Sequence, residues 1–595
     1  TTIGKPHTLR HHSLYPVKKM RTKLLHGIIL LTLTFLLSAP ITGILIPDGQ
    51  AYILAVTGIL AFTGTGLSVA QRKDQTGESI TLPDIALGVC IIYGIMNIRG
   101  LINIEYIMEW VALTGIWMLM RTKESHRFIR FLVWGLFISA LIQILIVILQ
   151  LAEVTSSRHA DFRVTGSFDN PAPLGCYLAI VLALMWPICN ELASLSFRKK
   201  ILAGGLILPI AWGLAVTDSR AAWLAAVMTI AVFHLHKKLT RKNRPYLSGG
   251  ILLAAVITIG ALYLYRPSSA DARLGIWHVC RTMIAASPIT GQGTNSFPAT
   301  YMSFQTSSIR NAPEEVRRAA DDVTTAFNEP LEILCEQGVA GGLLWGFFLL
   351  TAGVSLWKAS KKKERQAFLF LPFLAYIIFA LFSYPSSIWS LHALFISMIA
   401  LGIESPYPTQ VPVWALFKRR ARMAGAGLFA GLLLINIVIR TNANLRLNGY
   451  CNLEEDDTAM QNSPFTFRYV GHSPSLLACL GRTQLMAGDG VAAVHSLKKL
   501  QEYINTAQVQ LHLGEAYECT GENEEAIKCY AAAHSMRPGL MLPIYAQFAL
   551  YKSIDEEKAL QLAKDLKAFR PKIENKKTQA MRSAAIRHIN KKQAL

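Results

Sequence analysis

Charge is what this chain has little of. Asp, Glu, Lys and Arg make up 16% of its 595 residues, and the acidic ones are the scarcer, 38 against 59 basic. Apolar residues make up 52% and the mean hydropathy is +0.34, a composition that fits a membrane protein rather than a soluble domain. No two of the nine cysteines stand as CxxC, so the usual zinc spacing is missing and no metal is expected. Cys90, Cys176 and Cys189 fall inside apolar runs and read as small apolar residues. Cys451, Cys479, Cys519 and Cys529 lie near the C-terminus, free to pair if their compartment is oxidising. A cleavable signal pattern is also missing, because the apolar stretch from Leu24 is long and others follow it. Residues 1–19 are polar and Met20 precedes Arg-Thr-Lys as a natural start does, so 1–19 read as upstream or cloning-derived sequence.

Apolar runs long enough to span a bilayer, at about 1.5 Å per residue, occupy 24–46, 51–70, 84–98, 103–120, 128–152, 173–190, 201–217, 221–236, 248–265, 331–357, 367–383, 388–403 and 423–440. They predict an all-α polytopic membrane protein with about thirteen spans. Alternate connections are basic: Lys18 to Lys23, Arg72 and Lys73, Arg121 to Arg127, Arg198 to Lys200, Lys237 to Arg244, Lys361 to Arg365, and Lys418 to Arg422. The positive-inside rule makes these cytoplasmic. The other connections are nearly free of lysine, and among them are the long segment 266–330 and everything after 440. The N-terminus is therefore expected inside and the C-terminal part outside. In a soluble protein a net charge of +21 would suggest nucleic acid. Here cytoplasmic loops account for most of it, so the expected surroundings are membrane lipid and no nucleic acid. Arginines on the outer side are left over from this rule: Arg163, Arg220, Arg266, Arg273 and Arg281.

Three outer segments carry polar chemistry. In the first, Arg163 precedes Gly-Ser-Phe-Asp-Asn-Pro, where Asn170 reads as an N-cap and Pro171 as the first helical residue. Such a helix start favours anions, although a turn with a cap explains it equally. In the second, Ser219 and Arg220 sit in a turn of a few residues between two spans, where an arginine lies at or below the interface. Either Asp218 neutralises it or it meets an anion through its planar fork. In the third, Arg273, Trp277 and Arg281 recur at i, i+4 and i+8, placing two guanidiniums and an indole on one helical face suited to a lipid headgroup or a sugar. Glu329, Glu332 and Glu336 then form a carboxylate stripe, readable as a solvated first turn, and Gly338, Gly342 and Gly346 a close-packing stripe.

After about 441 the apolar runs shorten and an internal repeat appears. Leu480, Gly481, Gly488 and Ala493 recur 33 residues later as Leu513, Gly514, Gly521 and Ala526. The second copy continues with Tyr517, Tyr530, Ala533 and Pro538, which resembles the tetratricopeptide pattern. Each copy is a helical hairpin that must stack on a neighbour. Residues 441–595 are thus expected to be an α-helical repeat domain with a third, degenerate pair at 540–570, serving as a cap or as a docking surface for a protein partner.

Arg163 with its Gly-Ser-Phe-Asp-Asn-Pro, Ser219-Arg220-Ala-Ala-Trp223, the run from Arg273 to Gly293, and Asn328 to Gly341 resemble, in order and spacing, the O-antigen ligase and polymerase superfamily. That superfamily includes protein O-oligosaccharyltransferases, and the resemblance covers about 24 to 440. It implies a GT-C-like fold, and transfer of a glycan from a polyprenyl pyrophosphate donor to an acceptor glycolipid or protein, without metal or cofactor. The site of transfer would be the outer face of the bacterial inner membrane. Substrate-binding residues by this resemblance are Arg163, Asn170, Ser219, Arg220, Arg273, Trp277, Arg281 and Asn328. Family ligases carry a His immediately before the Asn of the last motif; this chain has Phe327 there, and Thr325 where a second His is frequent. The base is then expected among Glu329, Asp321, Asp322 and His278, with Glu329 favoured for its place beside Asn328. The resulting division is a cytoplasmic segment 1–23, a membrane domain 24–440 with the long loop 266–330, and the outer repeats 441–595. A glycan polymerase is the alternative within the class. A flippase of lipid-linked glycan is the alternative outside it, but no two symmetric halves with matching broken helices are visible. A non-enzymatic scaffold is the third reading, in which the outer arginines are dispensable.

Overall fold

The computed structural model of the protein describes residues 24–25, 27–30, 32, 49–71, 80–159, 161–238, 260, 263–264, 267–361, 369–403, 419–451 and 468–593. The expected N-terminal segment 1–23, most of the spans 24–46 and 248–265, and Arg266 lie outside them. The membrane part comprises α1 (Gly49–Gln71), α2 (Leu82–Met96), α3 (Ile104–Met120), α4 (Lys123–Leu151), α5 (Pro171–Leu195), α6 (Phe197–Val216) and α7 (Arg220–Lys238). The long loop folds into α8 (Pro267–Ala286), α9 (Phe297–Ile309) and the short α10 (Glu314–Ala319). Then follow α11 (Glu329–Lys361), α12 (Phe370–Ala380), a 3-10 turn at Pro385–Ser387, α13 (Trp389–Gly402) and α14 (Arg419–Cys451). Every expected span within the described residues is a helix. Six of these helices are long and apolar enough to cross a membrane, while Leu82–Met96, Arg220–His234, Phe370–Ala380 and Trp389–Gly402 are shorter apolar helices. The protein is an all-α polytopic membrane protein.

Helix starts follow local chemistry. Asn103 opens α3 by accepting from the N–H groups of Glu105 and Tyr106, Thr122 opens α4, and Asn170 with Pro171 opens α5. α5 is the central helix, packed against α6, α7 and α12, and every side chain from Pro173 to Met185 is buried. At one end of the bundle, Arg121 at the end of α3 pairs with Asp84 at the start of α2 (3.2 Å) and donates to the Ile403 carbonyl at the end of α13. At the other end, Asn97 after α2 donates to the carbonyls of Thr290 (3.0 Å) and Glu336 (3.2 Å), and Arg440 of α14 pairs with Glu105 at the start of α3 (3.1 Å). The basic Arg121 connection and the long loop thus occupy opposite ends.

The repeats are the antiparallel pairs α15 (Pro474–Met486) with α16 (Gly490–Gln501), α17 (Ala507–Thr520) with α18 (Asn523–Met536), and α19 (Leu542–Ile554) with α20 (Glu556–Ala568), followed by α21 (Lys576–Gln593). Gly481 and Gly514 play the same part in successive copies. A Cβ on Gly481 would lie 2.8 Å from Leu497, and one on Gly514 2.4 Å from Tyr530, so both hairpins close tightly only with glycine there. Two features differ from the sequence reading. α14 passes the expected boundary at 440 and continues to Cys451. The repeats also share one apolar core with the loop, in which Val279, Met283, Phe297 and Tyr301 pack with Tyr469, Leu480, Leu511, Tyr517 and Tyr530. Polar bonds reinforce it: Asn505 N–H donates to the Pro298 carbonyl (3.0 Å), and Gln305 Nε2 to the Met536 carbonyl (3.0 Å). The repeats are therefore packed against the chain's own loop, α9 meeting α18.

Candidate functional site

The turn between α6 and α7 is tight because Thr217 Oγ1 bonds the Leu214 carbonyl (2.7 Å) and Asp218 adopts φ +53°. It nests against α5 at Gly175, where a Cβ would lie 2.9 Å from both Ser219 and Ala222. Ser219 is buried in this turn, and α7 begins with Arg220, whose Nη2 donates to Ser269 Oγ in the first turn of α8 (3.0 Å). Further along α8, Trp277 Nε1 donates to the Ala326 carbonyl (3.1 Å), fixing the helix against the segment that leads into α11. Arg220, Arg273 and Trp277 line a cavity of about 180 Å³ whose other walls are Ala221, Leu224, Tyr263, Ala270, Leu274 and Phe382. Burial first, then the neighbouring Arg220 charge, lower the Arg273 guanidinium from its ordinary value to about 10. An anion between the two guanidiniums relieves both effects.

The segment entering α11 forms the cavity's flank. Arg273 lies over the Phe327 ring at 5.5 Å, and that ring meets Tyr384 edge-on with centroids 5.2 Å apart. Asn328 caps α11 by accepting from the Leu331 N–H (2.9 Å) and donates Nδ2 to the Leu381 carbonyl (3.0 Å). Half-buried Glu329 accepts from the Ser386 N–H, which ties α11 to the 3-10 turn. Glu332 accepts from Ala326 N–H (2.7 Å), and Glu336 from the N–H groups of Asn295 (2.9 Å) and Phe297 (3.0 Å). The carboxylate stripe is therefore engaged with backbone donors and is not a solvated turn.

α11 is broken at Gly338, whose φ of 63° and ψ of −166° lie outside the helical region. The loop 288–293 inserts its backbone beside the break. Gln292 and Gly293 donate to the carbonyls of Cys335 and Glu336 (2.8 Å each), while Val339 and Ala340 donate to those of Pro288 (2.9 Å) and Ile289 (3.1 Å). Such substitution is what allows a helix to break at membrane depth. Gly338 is thus required by conformation, whereas a Cβ on Gly346 would meet nothing within 4 Å, so the expected close-packing stripe is not formed there.

The structure gathers Arg220, Arg273 and Trp277 on one cavity, with Ser219 buried beside Arg220, and joins Asn328 and Glu329 to it through Phe327 and the 381–386 segment; the remaining expected residues lie apart. Arg163 pairs with Glu153 (3.4 Å), both well exposed, in the connection before α5. Asn170 is spent on its cap, accepting from the Ala172 N–H (3.0 Å). Arg281 and His278 are exposed on α8 and do not line the cavity. Asp321 pairs with Arg537 and with Lys572 (2.9 Å), and Asp322 pairs with Arg537 (3.3 Å) and accepts from the Ala507 N–H (2.8 Å). These two aspartates fasten the loop to the repeats. Sequence reasoning passed over Tyr384, Phe382 and the buried His392–Glu109 pair (3.0 Å). A histidine and a glutamate inside apolar runs were the available signal for that pair, while the two aromatics in an uncharged connection carried none.

Residues 204–346 match the family model described as O-antigen ligase. This stretch contains Arg220, Arg273, Trp277, the Gly291–Gly338 crossing and the first half of α11. Curated proteins show no match to the chain. The chain therefore carries an O-antigen ligase domain at residues 204–346, and that domain is the part of the fold that supplies most of the cavity wall.

Proposed function

We propose that the protein transfers a glycan from a polyprenyl pyrophosphate donor to an acceptor hydroxyl at the outer face of the bacterial inner membrane, as an O-antigen ligase or a protein O-oligosaccharyltransferase. One observation carries this reading: two guanidiniums, Arg220 and Arg273, share an apolar-walled cavity at the end of the bundle that bears the long loop. Arginine forks match phosphate oxygens, and Leu224, Leu274 and Phe382 offer the apolar surface that an isoprenoid chain needs. As the glycosidic bond breaks, its electron pair goes to the departing diphosphate. Fixed cations therefore stabilise the transition state more than the ground state. The acceptor oxygen bonds to the anomeric carbon and its proton passes to a base.

Glu329 is the base of this proposal, held beside the motif residue Asn328 by Ser386. His278 is exposed on α8, and Asp321 and Asp322 are already paired with Arg537 and Lys572. Arg163 and Arg281 belong to the approach rather than to the diphosphate. A glycan polymerase differs from this reading only in its acceptor. The test is incubation of the purified protein with a polyprenyl pyrophosphate glycan and either a glycolipid or a protein acceptor, with mass detection of the product. Transfer to one acceptor, lost in Arg220→Lys, is the expected result. Absence of product with every acceptor, while donor flips across proteoliposomes, would replace the reading with a flippase.

A further inference from the structure

Two cysteines have no part in the reaction and lie directly behind the site. Cys280 belongs to α8, the helix of Arg273 and Trp277, and Cys335 to α11, the helix that Asn328 and Glu329 open. Both are fully buried in the core that the loop shares with the repeats. The Cys335 thiol lies 3.6 Å from the Cys280 carbonyl oxygen, so the two residues face each other across the two helices, and both stand as free thiols in the structure. The backbones around them are fixed to one another at this level. Gln292 donates its N–H to the Cys335 carbonyl (2.8 Å) and its Nε2 to the Met283 carbonyl (3.0 Å), bridging the two helices.

We infer that Cys280 and Cys335 are joined by a disulfide in the mature protein, stapling the helix that carries the cavity arginine to the helix that carries the proposed base. Disulfides bridge residues whose Cα atoms stand about 4.4–6.8 Å apart. With the Cys335 thiol already against the Cys280 backbone, closure asks mainly for rotation of the two side chains. Each thiol loses a proton and the pair loses two electrons, while the disulfide of a thiol–disulfide oxidase accepts them and becomes a dithiol. The inference rests on the proposed outward placement of this face, because such oxidases act in the outer compartment. Since neither sulfur is accessible once the repeats cover α8 and α9, exchange takes place while the chain folds. Contact separates these two from the tail cysteines: all five are free thiols in the structure, but Cys335 stands against Cys280, whereas Cys479 and Cys519 are exposed and Cys529 is buried in the repeats.

The experiment is differential alkylation of the full-length protein purified in detergent. The protein is unfolded in guanidinium with excess iodoacetamide and no reductant, digested, and analysed by mass spectrometry before and after reduction. The expected result is a linked pair of peptides containing Cys280 and Cys335, lighter by two hydrogens than their sum and separated by reduction, with Cys479, Cys519 and Cys529 alkylated at the first step. Alkylated Cys280 and Cys335 before reduction, or either of them linked to a different cysteine, would overturn the inference. Because the readout is a mass, it stands or falls apart from any transfer assay.

Discussion

The guanidinium carbon of Arg273 lies 5.5 Å from the centre of the Phe327 ring. Phe327 reaches this position with φ at +50°, a left-handed backbone that costs a residue other than glycine about 1–3 kcal/mol. The ring's contact with the cation, about 1–2 kcal/mol when desolvated, and its edge contact with Tyr384 offset that cost. At the position where the resembling ligases carry a histidine, this chain thus has a ring that supports an arginine. In the proposed reaction, holding the donor and taking the proton are separated onto different residues.

That separation predicts how the arginines respond. Arg220→Lys and Arg273→Lys keep a charge and lose the fork, so transfer should fall on the order of 10²-fold, the worth of one well-placed donor to developing charge. Arg163→Ala removes only an exposed pair with Glu153 and should leave the rate unchanged. Initial rates with a fixed donor check this, and equal tolerance at all three positions would reduce the cavity arginines to interfacial anchors.

Glu329→Gln keeps shape and hydrogen bonding but accepts no proton. Transfer is expected to drop by about 10²- to 10⁴-fold, with donor affinity retained because Arg220 and Arg273 are untouched. Phe327→His, combined with Glu329→Gln, should restore part of the rate by placing an imidazole next to Arg273. Full activity in the Glu329→Gln single variant would remove this carboxylate from the reaction.

The break in α11 makes a third expectation. A Cβ on Gly338 would lie 2.3 Å from the Ile289 carbonyl oxygen, and one on Gly291 2.3 Å from the Glu336 carbonyl carbon; both residues also hold positive φ. Gly338→Ala and Gly291→Ala should each destabilise by well over about 1 kcal/mol, whereas Gly346→Ala, facing open space, should be neutral. Unfolding midpoints in detergent distinguish these outcomes, and a neutral Gly338→Ala would mean that the helix is continuous.

Removing residues 452–595 leaves α14 whole but uncovers the apolar faces of α8 and α9. The truncated protein should still insert in the membrane, yet lose donor binding as well as transfer, because Arg273 and Trp277 ride on α8. Retained donor binding would show that the loop stands without its repeats.

Acid should weaken the same junction. Burial first, and then the nearby charges of Arg482 and Arg317, hold His512 and His534 below the ordinary imidazole value of 6.5. Groups with depressed folded values bind fewer protons folded than unfolded, so their stability is present above pH 6.5 and lost as pH falls below it. The unfolding midpoint should therefore decline as pH falls below 6.5, and less steeply in a His512→Gln, His534→Gln double variant. Parallel slopes for the two proteins would assign the acid effect elsewhere.

The helices were legible because apolar runs and caps are local signals, and Asn170, Gly481 and Gly514 do in the structure what their neighbours imply. Arg220, Arg273 and Trp277 were legible too, since positive charge is scarce at that end of a membrane protein and the i, i+4 spacing sets a face. Arg281 followed the same spacing but lies about 12 Å farther along the helix axis than Arg273, past the cavity. Asp321 and Asp322 looked available because Arg537, their partner, stands in a distant repeat that no local pattern connects to them. Gly338 read as a packing residue for a similar reason: the backbone that fills its break comes from Pro288 to Gly293.

The shared core of loop and repeats also sets a clock on biosynthesis. Domains emerge and fold from the N-terminus during translation, so α8 and α9 are made while Tyr469, Leu511 and Tyr530 are still to come. Until those residues arrive, Phe297 and Tyr301 lack much of their apolar surroundings, and the arginine face on α8 has no firm base. The cavity is therefore completed only after the repeats have been made, and a chain cut short before them is expected to enter the membrane without a firm arginine face.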